Sequence, residues 1–269
     1  MLGAQRHTAH ATARCFPMTA TVFAKPMHLE RLLQSQGFGT RKECRTLIRS
    51  ERVSIAGTPC DDPFAEFAAD ENFAFEVDGE IWLYREKAYV LLNKPVGYEC
   101  SRSPKHHPSI LSLLPPQLEK RGMQPVGRLD EDTSGALLLS DDGQFIHHLT
   151  SPRREIAKTY EVTTKHALNA DQQNALLGGV QLHDSNDLAQ AIACTTLSER
   201  CMHMTITEGR YHQVKRMVAA SGNRVEALRR IQIGGLVLPD ELETGKWRWL
   251  TKTDLASLGY PTRPSPLCT

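Results

Sequence analysis

A carboxylate set between two glycines is where this chain could first do chemistry. Residues 125–135 read Pro-Val-Gly-Arg-Leu-Asp-Glu-Asp-Thr-Ser-Gly, and Ala136-Leu137-Leu138-Leu139-Ser140 follows as an apolar run of strand length. Asp130 stands two residues after Arg128 and directly after Leu129, which puts it at the edge of a core. Gly127 and Gly135 allow backbone conformations closed to other residues. A carboxylate held in this way beside a guanidinium suits nucleophilic or electrostatic catalysis. The same pattern also describes an aspartate that caps a turn. Glycoside hydrolysis would need two carboxyl groups at a defined separation, and the nearness of Asp132 in sequence does not establish one.

The elements that must position Asp130 are legible on both sides. Ala88 to Asn93 reads as a buried strand that ends in Lys94-Pro95-Val96-Gly97. Asp141-Asp142-Gly143 is a turn, a short helix starts at Phe145, and Ser151-Pro152 ends it. A strand is expected over Lys158 to Thr163, and a helix over Ala170 to Leu177 closed by Gly178-Gly179. Ala191 to Leu197 and Met202 to Thr207 read as paired strands. The pattern from Tyr211 to Ala220 predicts a helix whose Val214, Met217 and Val218 face inward, with His212, Lys215 and Arg216 on or beside its other side.

The first part of the chain is a different unit. Leu29, Leu32 and Leu33 share one face of a short helix that Gly37-Phe38-Gly39 breaks. Thr40 and Glu43 have the spacing of a capping box for a second helix. On it Arg41, Arg45 and Arg49 form one stripe, suited to phosphate contacts or to a solvated face. Phe73–Val77 and Glu80–Tyr84 flank Asp78-Gly79 as a hairpin with a two-residue turn. The boundary with the larger unit falls near Arg85 to Lys87. Residues 1–26 show no apolar periodicity and read as a disordered extension, and 259–269 as a frayed tail.

Composition bounds the function. The chain has 269 residues, 40% hydrophobic and 23% charged, with a formal net charge of only +1. Any affinity for nucleic acid must therefore come from local patches. No apolar run approaches a membrane span. Seven scattered cysteines with no Cys-x-x-Cys pair argue against a zinc site or a disulfide framework, and for a reducing cytoplasm. Adjacent His106 and His107 point to different faces, and Cys201 with His203 are too few ligands, so no metal is expected.

Five motifs in order carry a family resemblance. Gly127-Arg128-Leu129-Asp130-Glu131-Asp132-Thr133-Ser134-Gly135 resembles the central motif of the pseudouridine synthases, in the branch with an S4 RNA-binding domain in front. Asn93-Lys94-Pro95-Val96-Gly97, Lys158-Thr159-Tyr160, Glu208-Gly209-Arg210-Tyr211-His212-Gln213-Val214-Lys215-Arg216-Met217 and Arg230-Ile231-Gln232-Ile233-Gly234-Gly235 resemble its other segments. The resemblance implies an α+β chain. A small α/β S4 domain over 27–85 would precede a catalytic domain over 86–258, with a central, largely antiparallel sheet flanked by helices. Asp130 would be the essential carboxylate, Lys215 the cation that holds it charged and oriented, and Tyr160 the aromatic group that stacks on uracil and serves the C5 proton transfer. Arg128 would fill the space of a flipped-out nucleotide. Arg41, Arg45, Arg49, Lys94, Arg210, His212, Gln213 and Arg216 would contact RNA. An isomerisation of this kind needs no cofactor and no metal.

The third motif and Gly179-Val180-Gln181-Leu182-His183 resemble the members that modify small-subunit rRNA, the type acting at uridine 516 of 16S rRNA. The expected partner is therefore 16S rRNA or a small-subunit assembly intermediate, met by a monomer in the cytoplasm. A synthase for 23S rRNA and a non-catalytic rRNA-binding assembly protein are the alternatives.

Overall fold

The strand Thr133–Ser140 is buried along most of its length because its side chains alternate between two cores. Leu137 and Leu139 join Val90, Leu92, Val162 and Met204 on one side. Ala136 and Leu138 join Leu91, Phe145 and Leu149 on the other. The computed structural model of the protein describes residues 25–182 and 187–261. His183, residues 1–24 of the expected extension and 262–269 of the expected tail lie outside the described residues.

The central sheet has nine strands and is mixed. Its path runs Ala193–Ser198, Cys201–Ile206, Lys158–Thr164, Val225–Ile233, Thr133–Ser140, Tyr89–Lys94 and Trp247–Trp249. Gln124–Val126 pairs with Thr133–Ser140, and Leu236–Val237 with Val225–Ile233. Every pairing is antiparallel except that of Thr133–Ser140 with Val225–Ile233. At that parallel seam Gly135, with φ of 101°, leaves no room for a side chain: a Cβ would stand 2.2 Å from the Arg230 carbonyl oxygen. Helix Gln213–Ala220 lays Val214, Met217 and Val218 on one core face, while Gly143–Thr150 covers the other with Phe145 and Leu149.

Residues 27–84 have a core of their own, built from Leu29, Leu32, Leu33, Cys44, Ile48 and Phe75. Helices Leu29–Ser35 and Arg41–Arg49 pack beside a four-stranded sheet in the order Thr58–Pro59, Val53–Ile55, Ala74–Val77, Glu80–Leu83. The capping box of Thr40 and Glu43 is formed in full. Asp78 and Gly79 turn the hairpin with φ of 54° and 81°, the conformation that Asp-Gly favours. Arg121 ties this unit to the larger one. Its guanidinium donates to Gln36 Oε1 at 2.8 Å and pairs with Asp141 at 2.7 Å. A groove lined by Phe38, Trp82, Pro116 and Lys120 lies at the same junction. Among the described residues no helix is long and apolar enough to cross a membrane.

Candidate active site

Asp130 sits in the loop that leads into Thr133–Ser140, and the loop is pinned from behind. Leu129 is buried, and its N–H points to the Cys100 sulfur at 3.4 Å. Gly97 N–H donates to the Glu131 carbonyl at 2.7 Å, and Thr133 N–H to that of Asp130 at 3.1 Å. Gly127 takes φ of 77°, the left-handed turn that its lack of a side chain permits.

Lys94 completes the support, and here the structure corrects an expectation. Its side chain is 0% exposed. Its Nζ lies within hydrogen-bonding distance of the carbonyl oxygens of Pro95, Asp130, Glu131 and Thr133, at 3.0, 3.0, 3.4 and 2.9 Å. An ammonium with three protons and four backbone acceptors around it has nothing left for an RNA phosphate. Burial pushes its pKa down, against the opposing charges of the nearby acids.

The carboxylate itself is flanked by two groups of helix Gln213–Ala220 and its N-cap. Lys215 Nζ lies 3.1 Å from Asp130 Oδ2, and His212 Nε2 lies 3.3 Å from Oδ1. Lys215 also reaches Asp132 Oδ1 at 2.6 Å, so one ammonium serves two carboxylates. Burial works against the Lys215 charge, but the hydrogen bonds to Asp132 and Asp130 outweigh it and raise the pKa above the ordinary lysine value. Burial likewise opposes the Asp132 charge, and the Lys215 bond overcomes it, so that carboxyl is held below its ordinary range. His212 reaches Asp130 from a left-handed backbone, φ 47°, as the N-cap of the helix.

Three more residues expected to contact RNA have polar partners within the protein. Gln213 is 3% exposed, accepts from the Arg210 N–H at 2.9 Å and donates to Glu208 at 3.0 Å. It braces the loop from within and is closed to RNA. Arg45 is paired with the nearly buried Glu30 and lies over the Phe64 ring, so it does not belong to a free basic stripe. Arg210 is paired with Glu208 at 2.9 Å, and its Nη1 lies 3.3 Å from the Asp187 carbonyl. Arg41, Arg49 and Arg128 are exposed, and Arg216 donates to the Tyr211 carbonyl at 3.2 Å.

Tyr160 faces the same core as Leu137 and Val214 and is 8% exposed. Its strand neighbours are Met204 and Arg230. Arg230 is almost fully buried, and its Nε donates to the Ala136 carbonyl at 2.7 Å. Burial and the Arg230 charge lower the pKa of Lys158, two residues before Tyr160 on the strand. Asp132 and Tyr211 also stand at the site, through Lys215 and His212, although neither was among the expected site residues and both lie inside the quoted motifs. Among the described residues no cluster of three His, Cys, Asp or Glu side chains could hold a metal ion.

Known proteins match most of this chain. A family model described as RNA pseudouridylate synthase matches residues 88–220. The ribosomal small subunit pseudouridine synthase A of Yersinia pestis is 37% identical over 235 residues, spanning 87% of this chain and 99% of that protein. Its namesake from Escherichia coli K12 is 36% identical over 86% of this chain and 100% of that protein. An RNA pseudouridine synthase of Bacillus subtilis 168 is 36% identical over 87% of this chain and 99% of its own. A crystal structure of a pseudouridylate synthase superposes with a TM-score of 0.61 at 33% identity, over 86% of this chain and 99% of that one.

Proposed function

This chain belongs to the RNA pseudouridylate synthase family, and we propose that it isomerises one uridine of small-subunit rRNA to pseudouridine. The observation that carries this reading is the Asp130 carboxylate, gripped by Lys215 at 3.1 Å and His212 at 3.3 Å on a loop that Lys94 fixes from below. The reaction breaks the C1′–N1 bond, forms C1′–C5, removes the C5 proton and returns a proton to N1. No oxidation occurs and no group leaves.

In this reading Asp130 presents its anionic oxygen to the extruded nucleotide. Lys215 orients that oxygen and balances its charge. Tyr160 supports the base with its ring and serves the C5 proton transfer. Arg128, exposed two residues from Asp130, fills the space the nucleotide leaves. Preorganisation is the main physical contribution. The cations and the loop are in place before substrate arrives, so little reorganisation is needed as charge develops.

Residues 27–85 act in this reading as an S4-like RNA-binding domain and 86–258 as the catalytic domain. The separate core of the first and the continuous sheet of the second support that division. A monomer working in the cytoplasm, with 16S rRNA or its assembly intermediate as partner and uridine 516 as the target, belongs to the same reading. Incubating the pure protein with 16S transcript, 23S transcript and early small-subunit particles, then mapping pseudouridine, tests it. One modified site in 16S rRNA is expected. Modification confined to 23S rRNA would overturn the target, and none in any RNA would overturn the enzymatic reading.

A further inference from the structure

Tyr211 is a large aromatic side chain left 75% exposed beside the polar cluster of His212, Asp130 and Lys215. A single exposed aromatic needs no explanation by itself. This one is built into place. Its ring lies flat on that of His212, with centroids 3.8 Å apart and an angle of 19° between planes. His212 in turn points Nε2 at Asp130.

The backbone that presents the two rings is braced at several points. Arg216 donates to the Tyr211 carbonyl, Gln213 accepts from the Arg210 N–H, and Glu208 receives both Arg210 and Gln213. The left-handed turn at His212 brings two successive side chains onto the same side, where an extended strand would send them to opposite faces. One face of Tyr211 is covered by the imidazole, and the ring as a whole stays open to solvent.

We propose that the outer face of Tyr211 is a stacking platform for an unpaired base next to the uridine that is isomerised. The inference rests on the proposed function. Geometry separates this subsite from the reacting one. Asp130 Oδ1 meets the inner ring of the pair, 3.3 Å from His212 Nε2. A base on the outer face of Tyr211 is two ring layers away from that imidazole, with the Tyr211 ring between them. That is too far for the uracil attacked at Asp130, and it suits a flanking nucleotide of the same strand. A π-face accepts any base, so the subsite adds affinity with little sequence preference. Two pre-stacked rings on a braced loop also have little side-chain freedom left to lose on binding.

The test uses the full chain with a small-subunit rRNA transcript, comparing wild type, Tyr211→Phe and Tyr211→Ala. Filter binding over a range of salt and single-turnover kinetics are the two readouts. Tyr211→Phe should behave as wild type within about twofold, because the ring is retained. Tyr211→Ala should weaken binding and raise the half-saturating RNA concentration by about tenfold, the scale of one lost base stack. Its maximal rate should stay within about threefold, and its salt slope should not change, because tyrosine neutralises no phosphate. Unchanged binding in Tyr211→Ala would overturn the platform. So would a loss confined to the maximal rate, which would make Tyr211 a prop for His212. Wild-type protein that neither binds nor modifies the transcript would overturn the proposed function and this inference together. A wild type that does both, with Tyr211→Ala its equal, removes the platform alone.

Discussion

Lys94 Nζ donates to the main-chain carbonyl of Asp130 at 3.0 Å from a side chain closed to solvent. The ammonium therefore acts on the backbone beneath the carboxylate and not on the carboxylate itself. Lys215 contacts the same residue at the other end, through its side chain. Two lysines thus divide the work of holding one aspartate, one fixing where the loop runs and the other where the oxygens point.

Lys94→Met should destabilise the protein by about 2–4 kcal/mol, because it removes the charged donor shared by four carbonyl oxygens, of which those of Asp130 and Glu131 keep one N–H donor each. Urea denaturation reads that loss. The salt slope of RNA binding should match wild type, since Lys94 meets no phosphate. A variant of full stability whose slope fell by about one would return Lys94 to the RNA interface.

Lys215 bridges Asp130 and Asp132, and removing either partner of its contact with Asp130 has a distinct expected outcome. Asp130→Asn should abolish turnover while RNA binding persists. Lys215→Met should slow catalysis by about a hundredfold or more, the scale of one lost preorganised electrostatic contact, and Lys215→Arg should keep a measurable part. The raised pKa gives the pH behaviour a sign. A lysine held above its ordinary pKa stays predominantly charged through about pH 9, so Lys215 should set no limb in the rate profile between about pH 6 and 9. A wild-type alkaline limb in that range, absent from Lys215→Met, would show that the ammonium loses its proton earlier.

These relationships differ in how far the sequence announced them. Thr40 with Glu43, and Asp78 with Gly79, are local patterns whose partners lie a few residues apart, and both formed as their chemistry dictates. The apolar run 136–140 likewise announced the buried strand. Lys94 could not be placed in that way. A lysine before Pro-Val-Gly at a strand end looks exposed until the 130–133 loop folds over it. Lys215 meets Asp130 from 85 positions away, and only the family resemblance linked them. The helix expected from Tyr211 starts at Gln213, because His212 takes a left-handed backbone that no apolar spacing encodes.

The C-terminal helix Lys252–Ser257 supplies an acid-dependent element. Asp254 accepts two hydrogen bonds from Arg248, at 2.6 and 3.0 Å, and closes a capping box with Thr251. The Arg248 bond lowers the Asp254 pKa to about 2 from a reference of 3.8. A carboxyl with a depressed folded pKa contributes stability above its unfolded value and loses it as pH falls through the folded one. About 2 kcal/mol should therefore disappear between roughly pH 4 and 2. Asp254→Asn should be less stable than wild type at neutral pH by a similar amount, with the gap closing across that window. Denaturation midpoints at a series of pH values check it, and a gap that stayed constant would mean that the charge contributes nothing.

The arginine helix of the N-terminal unit should divide by residue rather than act as one stripe. Arg41 and Arg49 are exposed, and Arg41 Nε donates to Gln34 Oε1 at 3.2 Å. Arg45 is committed instead. It pairs through two nitrogens with Glu30, whose side chain is 5% exposed, and its guanidinium lies 5.3 Å from the centre of the Phe64 ring. Removing Arg45 strands a nearly buried carboxylate between the two helices, which is a folding defect. Removing Arg49 takes away a solvated charge, and removing Arg41 takes away a solvated charge with one exposed hydrogen bond to Gln34. Arg49→Gln and Arg41→Gln should each reduce the salt slope of rRNA binding by about 0.7–0.9 and leave the melting temperature near wild type. Arg45→Gln should lower the melting temperature by several degrees and leave the slope nearly intact. The double variant Glu30→Gln with Arg45→Gln should recover part of the lost stability, because no unpaired charge then remains between the helices. If Arg45→Gln reduced the slope as much as Arg49→Gln with no thermal cost, the ion pair with Glu30 would have to open on RNA, and the helix would present all three arginines after all.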